Sequence, residues 1–359
     1  MKPACDNLIR ALKSPTAMRT FTLAQWDRII PQARAAGLLG RLGALADQHG
    51  LISGLPTPVR HVLEAGLTLA SRQAVAVLYE LGQLDKALAG LGIPVLVLKG
   101  AAYVASGSAA AAGRMMSDID ILVSKPAIPH AEAALMLAGW ASSHHDEYDQ
   151  RYYREWMHEI PPMQHIKSGT VLDVHHNLLP ETARIKTFPE KIIAAALPLP
   201  GMRCLHVPSD LDLILHSATH LMHEGEWEHG LRDLVDIHAL VSTAASQNAE
   251  FWTELSNRGV ELNLERPLYY AIEHLRRVFG LDIPELDMPR PNRLTSLMTN
   301  ALLARGFASY HSICHMPFSG AAVFLLYVRS HWLRMPSHLL IPHLLHKAFQ
   351  REAADGDEG

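Results

Sequence analysis

Apolar residues recur at three- and four-residue spacing through residues 1–92, in "LIRALKS", "WDRIIPQARAAGLLGRLGALADQHG" and "TPVRHVLEAGLTLASRQAVAVLYELGQLDKALAGLG". That period predicts amphipathic helices, punctuated by Pro15, Pro31 and the "GLPTP" segment. In the third segment Leu78, Leu81, Leu84 and Leu88 form one stripe expected to pack in the core, and Gly90 and Gly92 end the helix. The texture then changes. "IPVLVL" (93–98) is short, continuous and rich in β-branched residues, the pattern of a strand buried on both faces. "AAYVASGSAAAAG" begins as a helix and runs into a small-residue loop, either a permissive insertion or a mobile rim. "SDIDILV" (117–123), "TVLDVHH" (170–176) and "MRCLHV" (202–207) read as further strands, with another expected around 150–157. "PAIPHAEAALMLAGW" reads as a helix ending at Gly139.

Helical periodicity returns after Ser209, whose spacing to Asp212 resembles a capping box. The chain therefore divides into an N-terminal helical region (1–92), an α/β core (93–207), a C-terminal helical region (208–350) and an acidic tail (351–359) expected to be disordered. The fold class is α+β, with a small mixed sheet flanked by helices.

At 359 residues the chain is long enough for two or three packed units. Hydrophobic residues make up 48% and charged residues 19%, which excludes a disordered protein. The net charge of -4 carries no global basic footprint, so charge alone indicates no nucleic-acid partner, although a local basic patch is compatible with it. The three cysteines, Cys5, Cys204 and Cys314, lie far apart and predict no disulfide framework and no cysteine zinc site. That usage reads as a reducing, cytoplasmic setting. The N-terminus lacks the apolar stretch of a signal peptide, and "GAAVFLLYV" (320–328) is too short to span a bilayer.

Two acids inside an apolar run raise the question of chemistry. Side chains two apart on a strand share a face, so Asp118 and Asp120 point together and Ile119 and Ile121 point away. Carboxylates that close stay ionised together only beside a cation, and Mg2+ (or Mn2+) is the hard, oxygen-seeking ion that fits. A solvated pair at an exposed strand end is the plain alternative. "LKG" (98–100) follows a buried strand and opens a helix; there Gly100 lets backbone N–H groups approach a phosphate and Lys99 adds a point charge. An ordinary turn with a surface lysine has the same pattern. Asp173 sits between Leu172 and Val174, where an acid needs a partner: either the first two aspartates, or His175, Arg151 or Arg154. Three carboxylates on adjacent strands beside a phosphate-binding turn make the constellation of two-metal phosphoryl or nucleotidyl transfer.

The ordered set Leu98-Lys99-Gly100, Arg114, Asp118-Ile119-Asp120-Ile121-Leu122-Val123 and Asp173-Val174-His175 resembles the polymerase-β nucleotidyltransferase superfamily. Within it, the set looks most like the bacterial uncharacterised nucleotidyltransferase family, which also carries a downstream H-x-x-x-H and an "lvDi" helix; "HSATH" (216–220) and "RDLVDIH" (232–238) match these. The likeness covers about residues 60–245. It implies metal-dependent transfer of a nucleoside monophosphate from an NTP, ATP by preference, to an acceptor hydroxyl it does not identify. Asp118 and Asp120 would hold the metals, Asp173 would bind one and help activate the acceptor, and the Gly100 turn would cradle the triphosphate. The chain departs from the superfamily in placing Ala101 where a phosphate-binding serine is usual, and in the length of 101–117. Arg114 contacts phosphate, braces the acids or makes a surface ion pair.

His216 and His220 share a helix face at possible zinc spacing, near His223, His229, Asp233, Asp236 and His238. A metal site there, a structural helix pair with Arg232 and Asp236 joined at (i, i+4), and a wall for the acceptor side are the three readings. Two other functions therefore stand beside nucleotidyl transfer: a catalytically silent nucleotide-binding scaffold, and a His/Asp metallohydrolase centred on 216–238. His144, His145, His158 and His165 receive no assignment.

Overall fold

A computed structural model describes residues 3–142, 150–223, 225, 227–308 and 310–336. The acidic tail, His144 and His145 lie outside the described residues. Four helices lead into the sheet: α1 (Pro3–Lys13), α2 (Leu23–Ala35), α3 (Leu39–Gln48) and the long α4 (Thr57–Leu88). Thr22 and Gln25 close a full capping box at the start of α2. Pro31 lies inside α2 instead of ending it. Leu81, Leu84 and Leu88 are buried as their stripe predicts, but Leu78 is 45% exposed and lies outside it.

Seven strands form one mixed sheet in the order β3-β4-β5-β2-β1-β7-β6. They are β1 (Val95–Leu98), β2 (Asp118–Leu122), β3 (Trp140–Ser142), β4 (Met163–His165), β5 (Val171–His175), β6 (Leu197–Pro198) and β7 (Leu205–Val207). All four β1 residues are buried, as a central strand between β2 and β7 requires. β1 runs antiparallel to β2, and β2 runs parallel to β5. The strand expected around 150–157 is not there; Tyr152–Trp156 form a helical turn. Side chains of that segment pair at helical spacing, Arg151 with Glu155 and Arg154 with Gln150, which outweighs its aromatic content.

Helices α5 (Lys99–Ala105) and α6 (Ile128–Leu137) pack on the strands, with α4 against both, and α7 (Pro189–Ala194) precedes β6. The C-terminal helices are α8 (Asp210–His223), α9 (Gly230–Gln247), α10 (Phe251–Glu261), α11 (Glu265–Phe279), α12 (Arg293–Gly306) and α13 (Ser319–Arg334). Buried apolar residues from Cys5 in α1 to Leu326 in α13 make one contiguous cluster. Among the described residues no helix is long and apolar enough to cross a membrane.

One expectation fails outright. Cys5 and Cys314 form a disulfide across 309 residues of sequence. Separation along the chain carries no information here, because α1 packs beside the Ser312–Cys314 turn and brings the two thiols together. Cys204 stays free and buried, its thiol pushed up to about 12 by burial and by the Asp85 carboxylate.

Candidate active site

The parallel pairing of β2 with β5 sets Asp120 directly opposite Asp173 and Asp118 opposite Val171. Period-two alternation therefore puts Asp118, Asp120 and Asp173 on one face, while Ile119 and Ile121 are buried on the other. One carboxylate oxygen from each aspartate lies within 4.8 Å of the others. Asp118 is half-buried and accepts a bond from Ser117 Oγ at 2.8 Å. Asp120 is 2% exposed, and its Oδ1 accepts from Lys99 Nζ at 2.6 Å and from His175 Nε2 at 3.0 Å. Burial alone would raise the Asp120 carboxyl; Lys99 and His175 outweigh it and hold the group far below the usual carboxylate range. Asp173 has no such help. Its Oδ1 is buried without a partner, and burial, reinforced by the charges of Asp120 and Glu159, pushes the carboxyl up to about 7.

Lys99 leaves β1 with φ 47°, a left-handed backbone that costs a non-glycine residue about 1–3 kcal/mol. That turn aims its side chain back over the sheet, where Asp120 holds the ammonium charged against the cost of burial. Lys99 therefore lies on the carboxylate pair. Gly100 is buried beside it, and a Cβ there would come within 2.6 Å of Arg114 Nη1. The missing side chain makes room for a guanidinium.

Arg114 pairs with aspartates of α9 and with none of Asp118, Asp120 and Asp173. Its Nε donates to Asp236 Oδ2 at 2.5 Å, its Nη2 lies 3.7 Å from Asp233 Oδ1, and its plane covers the Tyr103 ring. Arg41 donates to the other Asp236 oxygen at 3.1 Å, so Asp236 on α9 is clasped by two buried arginines. The expected Arg232–Asp236 pair is absent: Arg232 Nε bonds Asp233 at 2.9 Å, its neighbour in sequence, because Asp236 turns inward to the arginines. The same Arg41 caps the carbonyls of Ala109 and Ala110. Gly113 meets Gly40 so closely that a Cβ on it would fall 2.1 Å from the Gly40 oxygen. Gly113 therefore serves close packing against α3 and Ala110 is fully buried, whereas Ser106, Gly107 and Ala109 are exposed.

His216 on α8 is buried, and its Nδ1 has no partner. Burial, with the charge of Lys99 adding to it, holds the ring well below the ordinary range and so neutral. Ser217 bonds the Tyr103 hydroxyl at 2.7 Å, which fixes α8 behind α5. Among the described residues no group of three ligand atoms includes His216, His220, Arg232's neighbour Asp233, or Asp236.

Sequence reasoning overlooked Glu159, whose Oε2 lies 3.2 Å from His175 Nδ1, and left His158 unassigned although it stacks beside His175. It also overlooked Arg41 and Tyr103. Glu159 gives no periodic signal, since it lies in irregular chain that meets β5 at an isolated bridge to His175. Arg41 sits on a helix whose pattern explains it as surface. Comparison with curated proteins and with solved structures returned no match. A family model described as uncharacterised nucleotidyltransferase matches residues 22–280, a wider span than the motifs alone cover, and the chain belongs to that family of transferase enzymes.

Proposed function

We propose that the chain transfers a nucleoside monophosphate from an NTP, ATP by preference, to an acceptor hydroxyl, with divalent cations held by Asp118, Asp120 and Asp173. The convergence of the three carboxylates on one face of β2 and β5 carries this reading. The donor set fits a hard cation: it is all oxygen, and one buried Asp173 oxygen lacks a partner. Mg2+ or Mn2+ bound there would neutralise the triphosphate and lower the pKa of the attacking hydroxyl.

The remaining work falls to side chains. Asp120 is oriented through Oδ1 by Lys99 and His175, which leaves Oδ2 for a ligand. Asp173, whose Oδ1 is buried without a partner opposite Asp120, would bind one of the cations and help activate the acceptor hydroxyl. Lys99 supplies positive charge next to the Gly100 turn, the place we assign to the triphosphate. Arg114 supports that turn from behind, held in place by Asp236 and Asp233. A cytoplasmic setting, where nucleoside triphosphates are abundant, completes the proposal; it rests on that substrate alone, since the Cys5–Cys314 bond withdraws the cysteine usage that pointed to a reducing compartment.

A second reading has a specific observation behind it. Lys99 occupies Asp120 at 2.6 Å, and Ala101 replaces the usual serine, as in a nucleotide-binding scaffold without turnover. The test is metal-dependent pyrophosphate release from an NTP panel, with cell extract as the acceptor source. Release that needs Mg2+ or Mn2+ and disappears in Asp118→Asn and Asp120→Asn supports transfer. Nucleotide binding without release in any extract supports the scaffold.

A further inference from the structure

A second cluster of ligating side chains adjoins the aspartates and shares with them only His175, which bonds Asp120. A ring nitrogen of His158, a carboxylate oxygen of Glu159 and a ring nitrogen of His175 lie within 4.8 Å of one another. The backbone fixes them there. Glu159 is bridged to His175 on β5, and the His158 carbonyl accepts from the His176 N–H at 2.8 Å. The imidazoles of His158 and His175 stand 5.2 Å apart between centroids, tilted by 39°.

Three details indicate a ligand at this place. Glu159 Oε2 and His175 Nδ1 are 3.2 Å apart, close to the spacing of two ligands on a tetrahedral ion with bonds of about 2.0–2.1 Å. His158 Nδ1 is a buried nitrogen without a partner. His175 Nε2 lies 3.0 Å from Asp120 Oδ1, so the imidazole donates there and keeps Nδ1 for a metal; a carboxylate behind a ligating histidine fixes the tautomer and the ring orientation. Two imidazoles and one carboxylate suit a borderline first-row ion, whereas Mg2+ prefers oxygen alone.

We propose that His158, Glu159 and His175 form a site for a divalent transition ion of the zinc type, coupled to the aspartate cluster through the Asp120–His175 hydrogen bond. Asp120 then faces two ways: one oxygen supports the histidine ligand while the other remains for the aspartate site. An ion on His175 Nδ1 locks the ring against rotation and so fixes Asp120. The site does not depend on nucleotidyl transfer, and its test reads metal binding alone.

The experiment titrates chelator-treated full-length protein with Co2+ and follows the visible d–d absorption, then displaces Co2+ with Zn2+. With Mg2+ in excess to fill the aspartates, the expected result is one Co2+ per chain in a low-coordinate, nitrogen-containing site, displaced by Zn2+. Glu159→Gln and His158→Gln weaken Co2+ at least tenfold, in the range that loss of a ligand or of its support produces. Asp118→Asn/Asp173→Asn leaves the spectrum in place. Circular dichroism verifies folding, and Glu159→Gln, nearly isosteric, decides the matter if His158→Gln does not fold. Failure of wild-type protein to bind stoichiometric Co2+ would overturn the site, because a doubly protonated His175 satisfies both carboxylates and binds no ion. Co2+ binding lost in the aspartate variant and unchanged in Glu159→Gln would also overturn it, placing the ion on the aspartates. Transfer activity persisting beside either result would leave the nucleotidyltransferase reading intact.

Discussion

Lys99 decides whether the aspartate cluster is closed by an internal cation or shared between that cation and a metal, and Lys99→Met separates the two. The methionine keeps the bulk of the stem and removes the ammonium. Asp120, 2% exposed, would keep only the His175 Nε2 contact on its Oδ1. Removing one partner of a buried ion pair costs about 3–5 kcal/mol. The Lys99 side chain is 21% exposed, so the lower end, about 3 kcal/mol, applies after solvent screening. The effect on metal runs the other way. An ammonium about 5 Å from a divalent ion repels it by about 1.7 kcal/mol even at the dielectric constant of water, which is more than tenfold in affinity. Lys99→Met should therefore unfold several degrees lower in metal-free buffer and bind Mn2+ at least tenfold more tightly. At a hundredfold excess over its dissociation constant the ion should return about 2.7 kcal/mol of stability. Calorimetric titration and thermal unfolding with and without Mn2+ measure both effects. Mn2+ binding that is unchanged or weaker in the variant would refute the reasoning, because the lysine would then help to build the site and not compete for it.

Four further outcomes follow from the structure. Asp236→Ala leaves the guanidinium groups of Arg41 and Arg114 buried without their shared carboxylate and should cost about 3–5 kcal/mol in thermal or urea unfolding. Arg232→Ala, which removes only a partly exposed pair with Asp233, should cost less than about 1 kcal/mol. The Cys5–Cys314 bond closes nearly the whole chain, so reduction should lower stability by about 5 kcal/mol on loop entropy, and unreduced, denatured protein should titrate one thiol, that of Cys204. Burial lowers His223 to about 4 and His274 to about 3. The unfolded chain takes up these protons first as pH falls below about 6.5, so their contribution is full above that pH and is lost below it. At pH 5 the two together should cost up to about 4 kcal/mol, read as a lower urea midpoint than at pH 7 and diminished in His274→Asn.

The sheet's central strands and the acids upon them were legible because β-pairing obeys a strict period. Once "DIDIL" read as a strand, Asp118 and Asp120 had to share a face, and the parallel register of β2 with β5 sets Asp173 opposite Asp120 on it. What stayed hidden is non-local or aperiodic. β3 and β4 have three residues each, too few to display a period. Residues 152–156 carry strand-like aromatics but fold as a turn under local charge pairs. The target of Lys99 depends on a left-handed backbone at a non-glycine residue, which no pattern announces. The partner of Asp236 lies 195 residues away at Arg41, nearer in space than the arginine one helical turn behind it. The disulfide shows the same limit at the scale of the whole chain.

The central claim is that the three aspartates form a cation site for nucleotidyl transfer. Anomalous diffraction from crystals soaked with Mn2+ and a non-hydrolysable NTP analogue tests it most directly. A Mn2+ peak bonded to Asp118, Asp120 and Asp173 is expected, with the analogue's phosphates beside Gly100. A bound analogue with no metal peak at these carboxylates, or with its phosphates elsewhere, would contradict it.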